Sequence, residues 1–179
     1  LDYKSNSKRG GVRMGLRGGA VTQLELLPNR RRSRRAVPLT RDHLSGVLDP
    51  LSAIMALSRT TSGDPCAKTL SIFDGKQRFE IRLSYASGAR RGRGGTSRDV
   101  KAGVVCKVQY VPIAGHKPNR SIDFMSRTDG IRVIMRPVPS AGISVPAEVR
   151  LPTIAGDAVL AARDVLIMTA RNQRIAMRN

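Results

Sequence analysis

Tryptophan is absent from this 179-residue chain, and three Phe and three Tyr make aromatics only 3% of it. A core must therefore rest on Val, Ile, Leu, Met and Ala. Acidic residues are scarce too, with 13 Asp and Glu against 32 Lys and Arg and a formal net charge of +19. No run approaches the ~20 consecutive apolar residues that a membrane-spanning helix needs. The longest candidate, Leu44 to Leu57, is broken by Ser45, Gly46, Asp49, Pro50 and Ser52. The nucleophile elbow Gly-x-Ser-x-Gly, the phosphate loop and the dinucleotide fingerprint are all missing. These absences remove the recognisable forms of acyl, phosphoryl and hydride transfer, and they point away from an enzyme and away from a cofactor.

What is present supports a folded domain. The hydrophobic fraction is 40%, which argues for a real core. The length fits a single domain spanning 1–179. The chain opens at Leu1, inside a β-like segment, with no initiator Met and no signal peptide. It reads as a mature or trimmed form that lacks its signal peptide and its first strand or strands.

The charge has two readings of equal weight. One is an anionic partner: nucleic acid, anionic lipid or an acidic protein. The other is codon bias in a GC-rich genome, since 25 of the 32 basic residues are Arg. The densest clusters are Arg30, Arg31, Arg32, Arg34 and Arg35, then Arg90, Arg91 and Arg93. They are the candidate contacts for an anionic partner. Neutralising all eight would still leave +11, so the basicity is global. Single-strand and RNA recognition adds exposed aromatics for stacking, and few are available here. Attraction to an anionic membrane surface or an acidic glycan needs none.

Along the chain the dominant period is two. Val12, Met14 and Leu16 alternate with Arg13 and Arg17, Gly18-Gly19 supplies a turn, and Val21 to Leu27 returns as the second arm of a hairpin. Residues 28 to 36 form a basic link. The one helical signal follows, with Thr40 as N-cap and Asp42 in the first turn of a short helix over 41–47. A second helix starts with Asp49 as N-cap and Pro50 at the first helical position, and runs to about Ser58. Its broad apolar stripe asks for cover on more than one side. From Cys66 onward the pattern is strands. Thr69 to Phe73 leads through an Asp74-Gly75 turn into Arg78 to Tyr85, with Phe79, Ile81, Leu83 and Tyr85 on the inner face and Arg78, Glu80, Arg82 and Ser84 on the outer. Residues 88 to 99 read as a loop. Val104 to Tyr110, Ile131 to Val138, Ile143 to Leu151 and one long strand from Ala158 to Thr169 complete the set. Pro137, Pro139, Pro146 and Pro152 imply bends, bulges and strand ends. The fold class is mainly β: a curved antiparallel sheet or an open or spiral β-barrel wrapped around a short helical segment at about residues 41–58.

Individual chemical motifs are weak. Ser5-Asn6-Ser7-Lys8 has the Ser-x-x-Lys spacing but lacks the companion motifs of acylating enzymes. His43 and His116 have no metal-ligand spacing to each other or to the cysteines, so no metal site is expected. His116 reads as part of a turn, and Asp74-Gly75 as a tight turn rather than a ligand loop. Cys66 and Cys106 have even parity, wide spacing and positions at a loop edge and in a strand. These favour a bridge, with two buried reduced thiols as the alternative.

Four segments taken together resemble a known family. They are Val-Pro-Leu-Thr-Arg-Asp-His-Leu (37–44), Val-Leu-Asp-Pro-Leu-Ser-Ala (47–53), Pro-Cys at 65–66 with Ile-Phe-Asp-Gly-Lys-Gln-Arg-Phe (72–79), and Val-Cys-Lys-Val-Gln-Tyr-Val-Pro-Ile-Ala-Gly-His-Lys-Pro (105–118). The arrangement resembles the domain-of-unknown-function 3108 family of secreted Gram-negative, especially alphaproteobacterial, proteins. The resemblance implies a periplasmic home, a disulfide between Cys66 and Cys106, and a curved or spiral barrel around a helix. It implies no catalytic residue. The reading that follows is a non-enzymatic periplasmic cell-envelope protein that binds an envelope protein or an anionic lipid or glycan. A carrier of an apolar lipid in a lipocalin-like barrel is the first alternative, and nucleic-acid binding through the basic surface the second.

Overall fold

The structure is a computed structural model. It describes residues 2–5, 8–27, 33–59, 64–86, 103–153, 155–168 and 174–178. The chain divides into two compact units, each assembled from separate stretches of sequence. The first comprises 1–54, 69–81 and 110–127; the second comprises 55–68, 82–109 and 128–179.

In the first unit, β1 (Asp2–Ser5), β2 (Lys8–Arg17) and β3 (Ala20–Leu27) form an antiparallel sheet in that order. The β2–β3 hairpin is the one the alternation of residues 12–27 implies. Gly18 and Gly19 turn with φ of 57° and 75°, and Arg17 pairs with Ala20. Two successive positive φ values match the right-handed twist of the flanking strands. The register slips beside Gly15, where an added Cβ would lie 3.0 Å from Thr22 Oγ1.

The helical stretch that follows has two parts. A single 3-10 turn covers Asp42–Leu44 in place of the short helix over 41–47, and Thr40 does not cap it. Instead His43 Nδ1 accepts the Thr40 backbone N–H at 3.1 Å. The second helix, α1 (Pro50–Ser58), forms where Asp49-Pro50 places it. Asp49 Oδ1 accepts the N–H groups of Leu51 (2.9 Å) and Ser52 (3.1 Å), and Oδ2 accepts the Ser52 hydroxyl. That carboxylate satisfies N–H groups that the first turn leaves without helical partners. The Ser52 hydroxyl, with help from the backbone N–H groups, holds its pKa below the ordinary value.

A six-stranded sheet runs in sequence order: β4 (Thr69–Phe73), β5 (Arg78–Tyr85), β6 (Val104–Ala114), β7 (Arg132–Val138), β8 (Ile143–Thr153) and β9 (Gly156–Ala161). The sheet begins at β4 and ends at β9 and is not closed into a barrel. The β4–β5 turn is built on Asp74, whose Oδ1 accepts the N–H groups of Lys76 (2.8 Å) and Gln77 (2.7 Å). Gly75 has φ of 92°, and a side chain there would collide with Val12 of β2. The tight-turn reading of Asp74-Gly75 therefore holds.

In the second unit, Leu83, Cys106, Val108, Ile131, Val133, Met135, Val138 and Ala147 are buried. Cys106 pairs with Val133 across β6 and β7. Proline placement follows the ladder rules. The β6–β7 pairing ends at Met135, so Pro137 lies beyond it, and Pro146 sits where the β7–β8 register shifts.

Two expectations are corrected. Helix α2 (Arg120–Arg127) occupies a stretch with no helical assignment from sequence. Its N-cap is Asn119, whose Oδ1 accepts the Ile122 N–H at 3.0 Å. The helix is only eight residues long and mostly polar, with Ile122, Phe124 and Met125 as its apolar residues, which is shorter than the stretch over which a helical period is read. The long strand from Ala158 to Thr169 is instead two: β9, and β10 (Asp164–Met168), which pairs with β11 (Arg174–Arg178) in a separate two-stranded sheet. The chain breaks at Ala162-Arg163 because the two strands answer to different partners.

Candidate functional site

The central chemical feature is the bond between Cys66 and Cys106, with an S–S distance of 2.03 Å and Cα atoms 5.3 Å apart. Both residues are fully buried. Its surroundings are built locally. Asp64 Oδ1 accepts the N–H groups of Cys66 (2.9 Å) and Ala67 (3.2 Å), an Asx turn that fixes the approach to the bridge. Lys68 O then accepts the Leu83 N–H of β5 at 2.8 Å. The Lys68 ammonium donates to Ala56 O (2.9 Å), Leu57 O (2.7 Å) and Arg59 O. A cation on the last carbonyls of a helix is favoured by the helix dipole. Burial pushes the Lys68 pKa down. The bridge thus anchors a five-residue segment that closes the C-terminal end of α1.

The middle of that helix is open. Leu51, Ile54 and Met55 stand at helical spacing and are 64%, 53% and 69% exposed. The cover that the apolar stripe asks for is absent from these three side chains. Ala53 is the helix's buried residue.

The basic candidates divide in two. Arg34 and Arg35 are exposed on a turn closed by the Ala36 N–H on Ser33 O at 3.0 Å. Arg30, Arg31, Arg32, Arg90, Arg91 and Arg93 lie outside the described residues, as do residues 88–99 of the basic loop. The other sequence candidates take structural positions. Ser5 and Lys8 are cross-strand partners at the β1–β2 connection. His116 O accepts the Val37 N–H, and Val37 O accepts the Gly115 N–H, both at 2.9 Å. His116 Nδ1 is buried without a hydrogen-bond partner. Among the described residues no group of three or more His, Cys, Asp and Glu is placed to hold a metal ion.

One charged pair departs from the sequence reading. Arg78 and Glu80 were assigned to the outer face of β5, yet their side chains are only 11% and 19% exposed and form an ion pair at 3.8 Å. Arg78 also donates to Phe79 O at 2.8 Å. Arg82 and Ser84 further along are exposed as the alternation requires. Arg and Glu two apart on one strand face was the available signal, because a covered charge needs a partner.

No helix among the described residues is long and apolar enough to cross a membrane. Comparison of the chain with protein-family models, with curated proteins and with solved structures finds no match.

Proposed function

We propose that this chain is a non-enzymatic protein of the bacterial periplasm that serves the cell envelope by binding a partner there, and that it belongs to the domain-of-unknown-function 3108 family. The observation that carries the reading is the buried Cys66–Cys106 bridge. A bridge of this kind persists in oxidising compartments and is rare where thioredoxin and glutathione keep thiols reduced. The four segments at 37–44, 47–53, 65–79 and 105–118 support the family and, with it, the Gram-negative envelope.

The partner in this reading is an envelope protein or an anionic lipid or glycan. The formal charge of +19 supports that choice, and the exposed Arg34-Arg35 turn provides one place for such contacts. A main sheet that is not closed into a barrel gives less support to a carrier of apolar ligands in a closed barrel interior.

Location is tested by fusing the natural precursor to a reporter that is active only in the periplasm. Signal from the fusion is expected. Activity of the complementary cytosolic reporter alone overturns the proposal. Binding is tested by co-sedimentation with vesicles containing anionic lipid against purely zwitterionic vesicles. Retention that persists at moderate salt supports an envelope surface, whereas loss at moderate salt reduces it to counterion release.

A further inference from the structure

The main sheet ends on two edge strands that are finished differently. On β4, Leu48 forms a parallel bridge with Ile72. Its N–H donates to Ser71 O at 2.8 Å and its O accepts the Phe73 N–H at 2.9 Å. On β9, no described strand or bridge pairs with the outer side. The Ala162 N–H donates to Ala147 O at 2.9 Å, in register with the β8–β9 ladder. Bonded and non-bonded pairs alternate in an antiparallel ladder. Asp157, Val159 and Ala161 therefore aim their N–H and C=O groups away from β8.

All six β9 residues are exposed, with Val159 at 56% and Leu160 at 65%. Edge strands that must stay single carry Lys, Pro, bulges or inward charges. Between Gly156 and Ala162 there is no basic residue and no proline, in a chain with 32 basic residues. Asp157 is the one charge there, and Arg163 follows at once.

We propose that β9 is a self-association edge, on which a second copy of this chain lays its own β9 antiparallel across a two-fold axis. The outward groups belong to odd-numbered residues, so odd must face odd. One register satisfies this and also matches charge. It sets Leu160 opposite Leu160 of the second copy in a non-bonded pair, where side chains come closest. Val159 then exchanges both backbone bonds with Ala161 of the second copy, and Asp157 faces Arg163 of the second copy, once at each end. The register with Val159 opposite itself sets Asp157 against Ala161 and forms no ion pair. Within one copy Arg150, diagonal to Asp157 on the same face, is ion-paired with Glu148 and meets Asp157 only through a weaker charge interaction.

Sedimentation velocity on the oxidised chain, from about 1 to 100 μM, tests this. A concentration-dependent dimer is expected. Val159→Pro removes an outward N–H and no bond to β8, and should give a monomer. Arg163→Asp sets two acids against each other and should also give a monomer, and the double variant D157R/R163D should restore the dimer. Restoration separates pairing from misfolding, because the double variant carries both changes. A wild-type monomer at the highest concentration, a dimer indifferent to both single variants, or a double variant that stays monomeric overturns the proposal.

Discussion

Strands β7 and β9 spend similar apolar content in opposite ways. In β7, Val133, Met135 and Val138 are buried, and Met135 is fully so. In β9, Ala158, Val159, Leu160 and Ala161 are all exposed. Hydrophobicity does not separate them. β7 has a strand on each side, whereas β9 has one neighbour among the described residues. Burial follows from neighbours in the sheet, since both strands carry a run of consecutive apolar residues. The same contrast extends to β10, where Leu166 and Met168 are 55% and 60% exposed.

The largest expected effect tests what anchors the buried side of this comparison. The Cys66–Cys106 bond closes a loop with a sequence separation of 40. A constraint of that span on the unfolded chain is worth about 4 kcal/mol. Cys66→Ser should lower the melting temperature under oxidising conditions, and the wild type under reductant should fall by a similar amount. An unchanged melting curve would remove the bridge as the anchor.

Met135→Ala compared with Leu166→Ala sharpens the contrast directly. Emptying a filled core site costs about 2–5 kcal/mol, whereas an exposed site away from special features stays within about 0.5 kcal/mol. Urea unfolding should separate the two. Equal losses would mean that β10 is covered as well as β7.

The smallest effect concerns α1. Asp49→Ala should cost about 1 kcal/mol at neutral pH, read from the urea midpoint. The Asp49 pKa is lowered from 3.8 in the fold. Its contribution is therefore complete above that ordinary value and is lost as the pH falls through the lowered one. The gap between wild type and variant should shrink at acid pH. A gap that stays constant down to the lowest pH would mean that the charge contributes nothing to the cap.

Much of the local structure was legible because it rests on contacts a few residues apart. The Gly18-Gly19 turn, the Asp49-Pro50 helix start and the Asp74-Gly75 turn each follow from backbone preferences written in two or three residues. Thr40 failed as a cap because the turn starts one residue later, at Arg41, and the Thr40 hydroxyl lies against His43 Nδ1 at 3.1 Å instead of a backbone N–H of the turn. Helix α2 stayed hidden because it is a mostly polar run of only eight residues, shorter than the stretch over which a helical period is read, although the Asn119 cap precedes it. Arg78 and Glu80 were misassigned because period two shows which residues share a face and not whether that face is covered. Of the candidate site, the cysteine pair was legible as two open readings, and nothing in the sequence singles out Lys68. Its role depends on three carbonyls that lie nine to twelve residues before it in the chain.

The sequence by itself determined the mainly β character, the turns, the start of α1 and the charge, since each is set by residue type and short-range spacing. The tertiary structure alone decided which strands become interior and which become edges. It also decided that Cys66 meets Cys106 beside Val133, and that Leu51, Ile54 and Met55 stay exposed. Those outcomes depend on which distant segments pair, and loop closure over tens of residues leaves no periodic mark in the chain.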